Sequence, residues 1–312
     1  MKRDSWRTLP DGMTLSRWRA PDGWELRRFA MPPAENSRAR GSLLFLGGRG
    51  DFIEKYLETY AHFHRAGWRV EGFDWRGQGE SGRLLADAAI GHAEDFTPLV
   101  NDLAAILHEM RTEGQGPLVA IGHSMGGHLL LRYLIRPSPV VDAAVLVAPM
   151  LGFAKAPPPA IARWIAGTAC ALGLSRRAAW REKGAAGDAL RQRSLTNSPE
   201  RYADELWWRD ANANLALGAP SWGWLRAALA SNAMIDRRGV LERVRVPVLL
   251  IEARQDRLVS GAAIARAAAR LPDAALESFD DGAHELLRER DPVRDRALAL
   301  IDSFFEERAP AS

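Results

Sequence analysis

One cysteine, Cys170, stands among 312 residues. An internal disulfide framework is therefore excluded, and stability has to come from a packed core. Long apolar runs are missing as well. No stretch approaches the roughly 18 apolar residues of a membrane-spanning helix, and the basic stretch 1–10 has no apolar segment behind it of the kind a signal peptide needs. A cytoplasmic location is the expectation. Excess charge is slight, +3 at pH 7, and arginine far outnumbers lysine, a bias that goes with the abundant alanine of GC-rich coding. No basic–aromatic recognition module accompanies it, so nucleic acid is not an expected partner. What the chain does have, 47% apolar residues, is ample for one core.

The apolar residues come in short β-branched runs that alternate with stretches of helical period, the rhythm of a mostly parallel sheet flanked by helices. Residues near 13–30 read as an antiparallel hairpin turning at Asp22-Gly23. There follow a strand at 42–46, a helix near 52–66, a strand at 68–74, a helix from about 95 to 112, a strand at 117–121, a helix over 127–134 and a strand at 140–147. The rhythm then stops. From Gly152 to about Gly239 only helix-like pieces occur, broken by Pro157-Pro158-Pro159, Ser198-Pro199 and Gly218-Ala219-Pro220. Strands resume at 246–251 and 275–279. The expected division is an α/β core over 1–151, a helical cap over 152–240 and the remainder of the core over 241–312. Such an insertion lies over the C-terminal ends of the strands, where open α/β sheets bind ligands.

The stretch Gly122-His123-Ser124-Met125-Gly126 joins an apolar strand to an apolar-periodic helix. A serine between two glycines at that junction is a nucleophile elbow, a turn too tight for side chains two residues before and after the serine. A hydroxyl is a poor nucleophile at neutral pH and needs a base held by a carboxylate. In a fold of this kind both follow the serine in the chain, on loops after late strands. Asp256 lies just past the strand at 246–251, and His284 lies on the loop after the strand at 275–279. The competitors fit less well. His62 and His64 fall on a helix, His92 opens one and His108 is inside one. His123 and His128 precede the acid and suit packing or support. Asp280 and Asp281 are too close to His284 in the chain, and Glu252 is inside its strand. The oxyanion donors are expected to be the backbone amides of Met125, at a helix N-terminus, and of Arg49 in Gly47-Gly48-Arg49-Gly50, with Gly48 as the alternative. A phosphate-cradle reading of that glycine loop is weaker, since no Gly-Lys-Ser/Thr follows and no ribose-binding acid is apparent.

These residues carry a resemblance. The glycine loop with Asp51-Phe52, the stretch Asp74-Trp75-Arg76-Gly77-Gln78-Gly79-Glu80-Ser81, the elbow, and the Asp256 and His284 loops are similar to those of α/β-hydrolases, and more narrowly of the bacterial lysophospholipase and monoacylglycerol-lipase group. Many relatives begin the oxyanion loop with His-Gly, whereas Gly47-Gly48 stands here. The resemblance implies an α/β-hydrolase fold with Asp74 and Arg76 bracing the active-site floor. It implies a serine hydrolase of carboxylic esters, on a lysophospholipid or monoacylglycerol, working through Ser124, Asp256 and His284 without metal or organic cofactor. A proline-iminopeptidase-like peptidase, an acyltransferase and a non-catalytic ligand receptor remain alternatives.

The insertion holds Trp164, Trp180, Trp207, Trp208, Trp222 and Trp224, over half of the chain's 11 tryptophans, and 13 basic against 7 acidic residues between Gly152 and Gly239. These fit either an acyl-binding lid that touches an anionic membrane surface transiently or a small helical core with a solvated basic face. The expected partner is a small lipid ester; the oligomeric state is open.

Overall fold

The computed structural model describes residues 6–35, 37–180 and 184–311. Among them eight strands form one sheet: β1 (Thr14–Arg19), β2 (Glu25–Met31), β3 (Gly41–Leu46), β4 (Trp68–Phe73), β5 (Leu118–His123), β6 (Ala143–Val147), β7 (Val248–Ala253) and β8 (Ala274–Phe279). Their order across the sheet is β1-β2-β4-β3-β5-β6-β7-β8. The first two pairings, β1 with β2 and β2 with β4, are antiparallel, and every later one is parallel.

The central strands are continuous apolar runs because both faces are covered. Alternate residues supply the two faces. Leu43, Phe45, Val119 and Ile121 pack with Phe63 of α1 (Leu57–Arg65) and Phe305 of α9 (Asp291–Arg308). Leu44, Leu46, Leu118 and Ala120 pack with Leu103 of α2 (Thr97–Glu113), Leu130 of α3 (Met125–Leu134) and Ile264 of α8 (Gly261–Ala268). The outermost strand β1 is largely exposed and carries Arg17 and Arg19, charges that discourage pairing with another chain. Three strands start later than the apolar runs suggest, β6 at Ala143 among them. Pro117 and Pro247 have no N–H to give to a ladder, so β5 and β7 begin one residue after them.

Between β6 and β7 the described residues contain four α-helices and no strand: α4 (Pro159–Ala169), α5 (Gly184–Leu195), α6 (Pro199–Ala211) and α7 (Trp222–Ile235). Residues 181–183 of this segment, like 1–5 at the N-terminus, lie outside the described residues. The proline-broken sequence does set the helix starts. Ser198 accepts a hydrogen bond from Arg201 N at the start of α6, and Ser221 one from Trp224 N at the start of α7. Among the described residues no helix is long and apolar enough to cross a membrane.

Since β5, β7 and β8 run parallel, their C-terminal ends share one edge of the sheet. The elbow after β5 and the loops holding Asp256 and His284 therefore open on the same side, onto a cavity that residues of α4, α5 and α7 help to wall.

Candidate active site

Ser124 has φ 51° and ψ −114°, a strained conformation for a residue with a side chain. Its backbone is held by hydrogen bonds from Ser124 N to Val147 O and from both His128 N and Met150 N to Ser124 O, each 3.0 Å. The flanking glycines are required by contact. A Cβ on Gly122 would lie 2.7 Å from the backbone of Gly127, and one on Gly126 would lie 2.3 Å from Leu46 O and 2.5 Å from Gly47 O.

The three residues named from the sequence meet here. His284 Nδ1 donates to Asp256 Oδ2 at 2.6 Å, and His284 Nε2 is 2.9 Å from Ser124 Oγ. The Asp256 carboxylate is oriented from its other side by Leu258 N at 2.7 Å and Val259 N at 3.0 Å, both donating to Oδ1. Burial pushes the Asp256 carboxyl up, but the facing His284 and the two amides outweigh it and hold the group below the usual range. For His284 burial opposes the charged form, yet the Asp256 carboxylate overcomes it and raises the imidazole above its ordinary value. With Nδ1–H committed to Asp256, Nε2 is left to receive a proton from Ser124.

Met125 is the first residue of α3, next to Ser124. The glycine loop after β3 comes close: a Cβ on Gly48 would be 3.0 Å from that of Ser124. Gly48 N is committed to Asp51 Oδ2 at 2.6 Å, and Gly50 N to Gln78 Oε1 at 2.8 Å. The Gly48 alternative for an oxyanion donor thus has its proton already directed elsewhere. The stretch 74–81 wires this loop in place. Trp75 Nε1 donates to Gly47 O at 2.8 Å, while Asp74 accepts from Arg27 Nε at 2.7 Å and from Ile53 N at 2.9 Å. Arg76 pairs with buried Asp102 and with Asp22. A cavity of about 540 Å³ opens onto Ser124 and His284, walled by Met150, Phe153, Ile165, Trp180, Trp222 and Trp224.

The family model described as serine aminopeptidase, S33, matches residues 37–291. The chain belongs to that family of α/β-hydrolases. Within it, the hydrolase is 31% identical over 283 residues to lysophospholipase L2 of Escherichia coli strain K12, covering 85% of this chain and 80% of that protein. It is 27% identical over 271 residues to a probable lysophospholipase L2 of Haemophilus influenzae, with 86% and 85% covered. In fold the hydrolase is similar to a soluble variant of monoglyceride lipase from Saccharomyces cerevisiae, with a TM-score of 0.77, 17% identity, and 98% and 97% of the chains covered. It is also similar to the monoacylglycerol lipase of Paleococcus ferrophilus, with a TM-score of 0.69, 20% identity, and 89% and 98% covered.

Sequence reasoning missed a buried ionic cluster behind the loop that carries His284. Lys55 Nζ lies 2.6 Å from Asp51 Oδ1, 2.6 Å from Glu285 Oε1 and 3.1 Å from Glu205 Oε2 on α6. Arg288 bridges Glu285 at 2.5 Å and Glu205 at 3.0 Å, and Arg191 on α5 reaches Glu205 at 3.0 Å. Burial opposes ionisation of these carboxyls, yet the Lys55 ammonium holds Asp51, Glu205 and Glu285 below their usual range. Backbone bonds add to the tie: Glu285 N donates to Leu195 O at 2.7 Å, and Thr196 Oγ1 donates to Arg288 O at 2.8 Å. His123 belongs to the same support, since its Nε2 donates to His284 O at 3.3 Å and Tyr56 Oη is 2.9 Å from its Nδ1.

The other histidines have local tasks. His128 bonds Met150 O and Ser231 Oγ, and His62 faces Asp302. His92 does not open a helix: it lies in the loop before α2, 2.7 Å from Ser221 Oγ. Trp180, Trp222 and Trp224 line the cavity. Trp207 and Trp208 instead pack edge to face near the N-terminal segment, where Trp208 Nε1 donates to Trp6 O.

Proposed function

We propose that this hydrolase cleaves the acyl ester of a single-chain lipid, a lysophospholipid or a monoacylglycerol, through an acyl-enzyme on Ser124. The observation that carries the reading is the Ser124–His284–Asp256 relay opening into a cavity with mainly apolar walls, a surface suited to an acyl chain. Ser124 Oγ attacks the ester carbonyl as His284 Nε2 takes its proton, and Asp256 stabilises the imidazolium that results. The Met125 and Arg49 amides hold the oxyanion. Collapse expels the alcohol, which leaves with the proton from His284, and water repeats the sequence to release the fatty acid.

The names of the sequence relatives favour an ester substrate, and the charges around the cavity argue against a peptide with a free amino terminus. Only Asp51 and Glu285 bring carboxylates to the described cavity wall, and both are matched by Lys55 and Arg288. No acid is left to hold a substrate ammonium. In this reading 152–240 form a cap over the core. Trp164 and Leu172, 70% and 73% exposed in and just after α4, together with Arg163, Arg176 and Arg177, support transient contact with an anionic lipid surface.

A panel of lysophospholipids, monoacylglycerols, short nitrophenyl esters and aminoacyl amides tests the reading on purified protein. Long-chain monoacyl esters should exceed the short ester in kcat/KM by roughly 10²-fold or more, since each buried methylene contributes about 0.8 kcal/mol. Ser124→Ala should lose roughly 10³-fold or more in kcat while staying folded. Faster turnover of an aminoacyl amide than of any ester would overturn the proposal.

A further inference from the structure

The cations that line the cavity fall into two groups. Lys55 and Arg191 are engaged by buried carboxylates, and the Arg49 guanidinium donates to Gly218 O and lies over the Trp224 ring. Lys155 and Arg257 differ. Both are exposed on the wall of the cavity that holds Ser124 and His284, and neither side chain forms an ion pair or hydrogen bond among the described residues.

Their backbone relationship makes this notable. Phe153 and Val259 form an antiparallel bridge, and Ala154 N donates to Leu258 O at 3.0 Å. This bridge brings the segments that carry Lys155 and Arg257 together at the cavity wall, and the pairing ends there because Leu258 N turns to Asp256 Oδ1. Two cations on adjoining segments of one cavity wall repel, and an anion held between them would relieve that repulsion. The chain has no carboxylate between Asp142 and Glu182 to relieve the repulsion locally. Arg257 also follows Asp256 directly, so its backbone is anchored by the loop whose amides orient the carboxylate facing His284.

We propose that Lys155 and Arg257 form a clamp for the phosphate diester of a lysophospholipid headgroup. The inference rests on the single-chain lipid reading and narrows it to the phosphorylated class. In such a substrate only the glycerol backbone separates the ester from the phosphate, so an anion site has to lie within a few bonds of Ser124, on the rim of the same cavity. Arg257 supplies a planar fork for two phosphate oxygens, and Lys155 supplies a point charge from the facing segment. A monoacylglycerol has no group for either residue. Discrimination between the two lipids then comes from the rim, while the apolar wall treats their tails alike.

The test uses wild-type enzyme and the Lys155→Gln/Arg257→Gln double variant. The substrates are a lysophosphatidylglycerol and the monoacylglycerol of the same acyl chain, both presented in neutral detergent micelles. The ratio of kcat/KM for the phospholipid to that for the monoacylglycerol should fall by about 10- to 100-fold in the double variant, the range expected for losing hydrogen bonds to a charged group. Arg257→Lys alone should keep only part of the ratio, since it retains the charge and loses the planar fork. A second measurement follows hydrolysis of a short nitrophenyl ester in the presence of a glycerophosphodiester, which should compete in the wild type and not in the double variant. Parallel loss on both lipids, or no competition in the wild type, overturns the clamp. Competition by inorganic phosphate as strong as that by the diester would assign the pair to a free anion and overturn the headgroup assignment. If the wild type cleaves neither lipid yet the diester still competes, the single-chain lipid reading fails while the clamp stands.

Discussion

At the scale of single residues the decisive balance is at His284. Burial disfavours its imidazolium, the Asp256 carboxylate 2.6 Å away favours it, and the carboxylate wins, so the imidazole titrates above the ordinary 6.5. A general base has to be neutral to accept the serine proton. Activity on a short nitrophenyl ester should therefore be lost as pH falls through this raised value, and kcat/KM should level off only on the alkaline side of 6.5. Asp256→Asn removes the largest influence that raises the pKa against burial, so the acid limb should move to lower pH. The same change should lower kcat by roughly 10³-fold or more, through the wrong tautomer and the loss of imidazolium stabilisation. An acid limb that stays where it was would separate His284 from the titration. Ser124, Asp256 and His284 were legible because each falls on a local pattern, a glycine-framed turn or the loop after a late apolar strand. Lys55, Glu205, Glu285 and Arg288 were not. Lys55 and Glu285 are 230 positions apart, and no local pattern separates a buried lysine with distant partners from a solvated one.

Among the elements, the elbow has the least tolerance. Gly126→Ala drives a methyl into Leu46 O and Gly47 O, which forces α3 away from the glycine loop and shifts the Met125 amide relative to Ser124. A misplacement of about 1 Å costs on the order of 10²-fold in rate, so kcat should drop by at least that much together with the melting temperature. Gly167 is the control, because nothing lies within 4 Å of a Cβ built there in the last turn of α4. Gly167→Ala should be neutral or stabilise by about 0.5–1 kcal/mol in thermal unfolding, with activity kept. Equal effects from the two substitutions would mean that the contacts at the elbow do not set its geometry. The strand rhythm was readable because central parallel strands are apolar on both faces. The tryptophans of the insertion were not assignable by the same means, since a ring that lines a cavity and a ring that packs a helix leave identical patterns. Trp224 lines the cavity while Trp207 packs edge to face with Trp208 far along α6, and only the path of the chain distinguishes them.

For the whole molecule the central question is how the helical insertion is joined to the sheet. Glu205 on α6 meets Lys55, Arg288 and Arg191, and it is only 1% exposed. Removing one member of a buried ionic group strands the rest, at a cost of about 3–5 kcal/mol. Glu205→Ala should lower the melting temperature by on the order of 10 °C. The loss should be much larger than that from exposed Glu200, whose hydroxyl partner Ser198 is on the same helix end. A change of less than about 2 °C, measured by calorimetry at neutral pH, would show that the cluster contributes little to stability.

The cluster also has an uneven parity. On the sheet side, Asp51 and Glu285 equal Lys55 and Arg288 in number; on the insertion side, Glu205 meets both Arg191 and Arg209. The sheet half is neutral by itself, and the surplus cation falls on two arginines that are 36% and 24% exposed. Parting the halves would break hydrogen bonds but would leave the surplus where water reaches it, and the large solvation penalty of an uncompensated buried ion would not arise. Such a joint holds firmly when closed and remains separable at moderate cost, with the anchored end of the insertion able to part from the sheet without polarising the loop that carries His284.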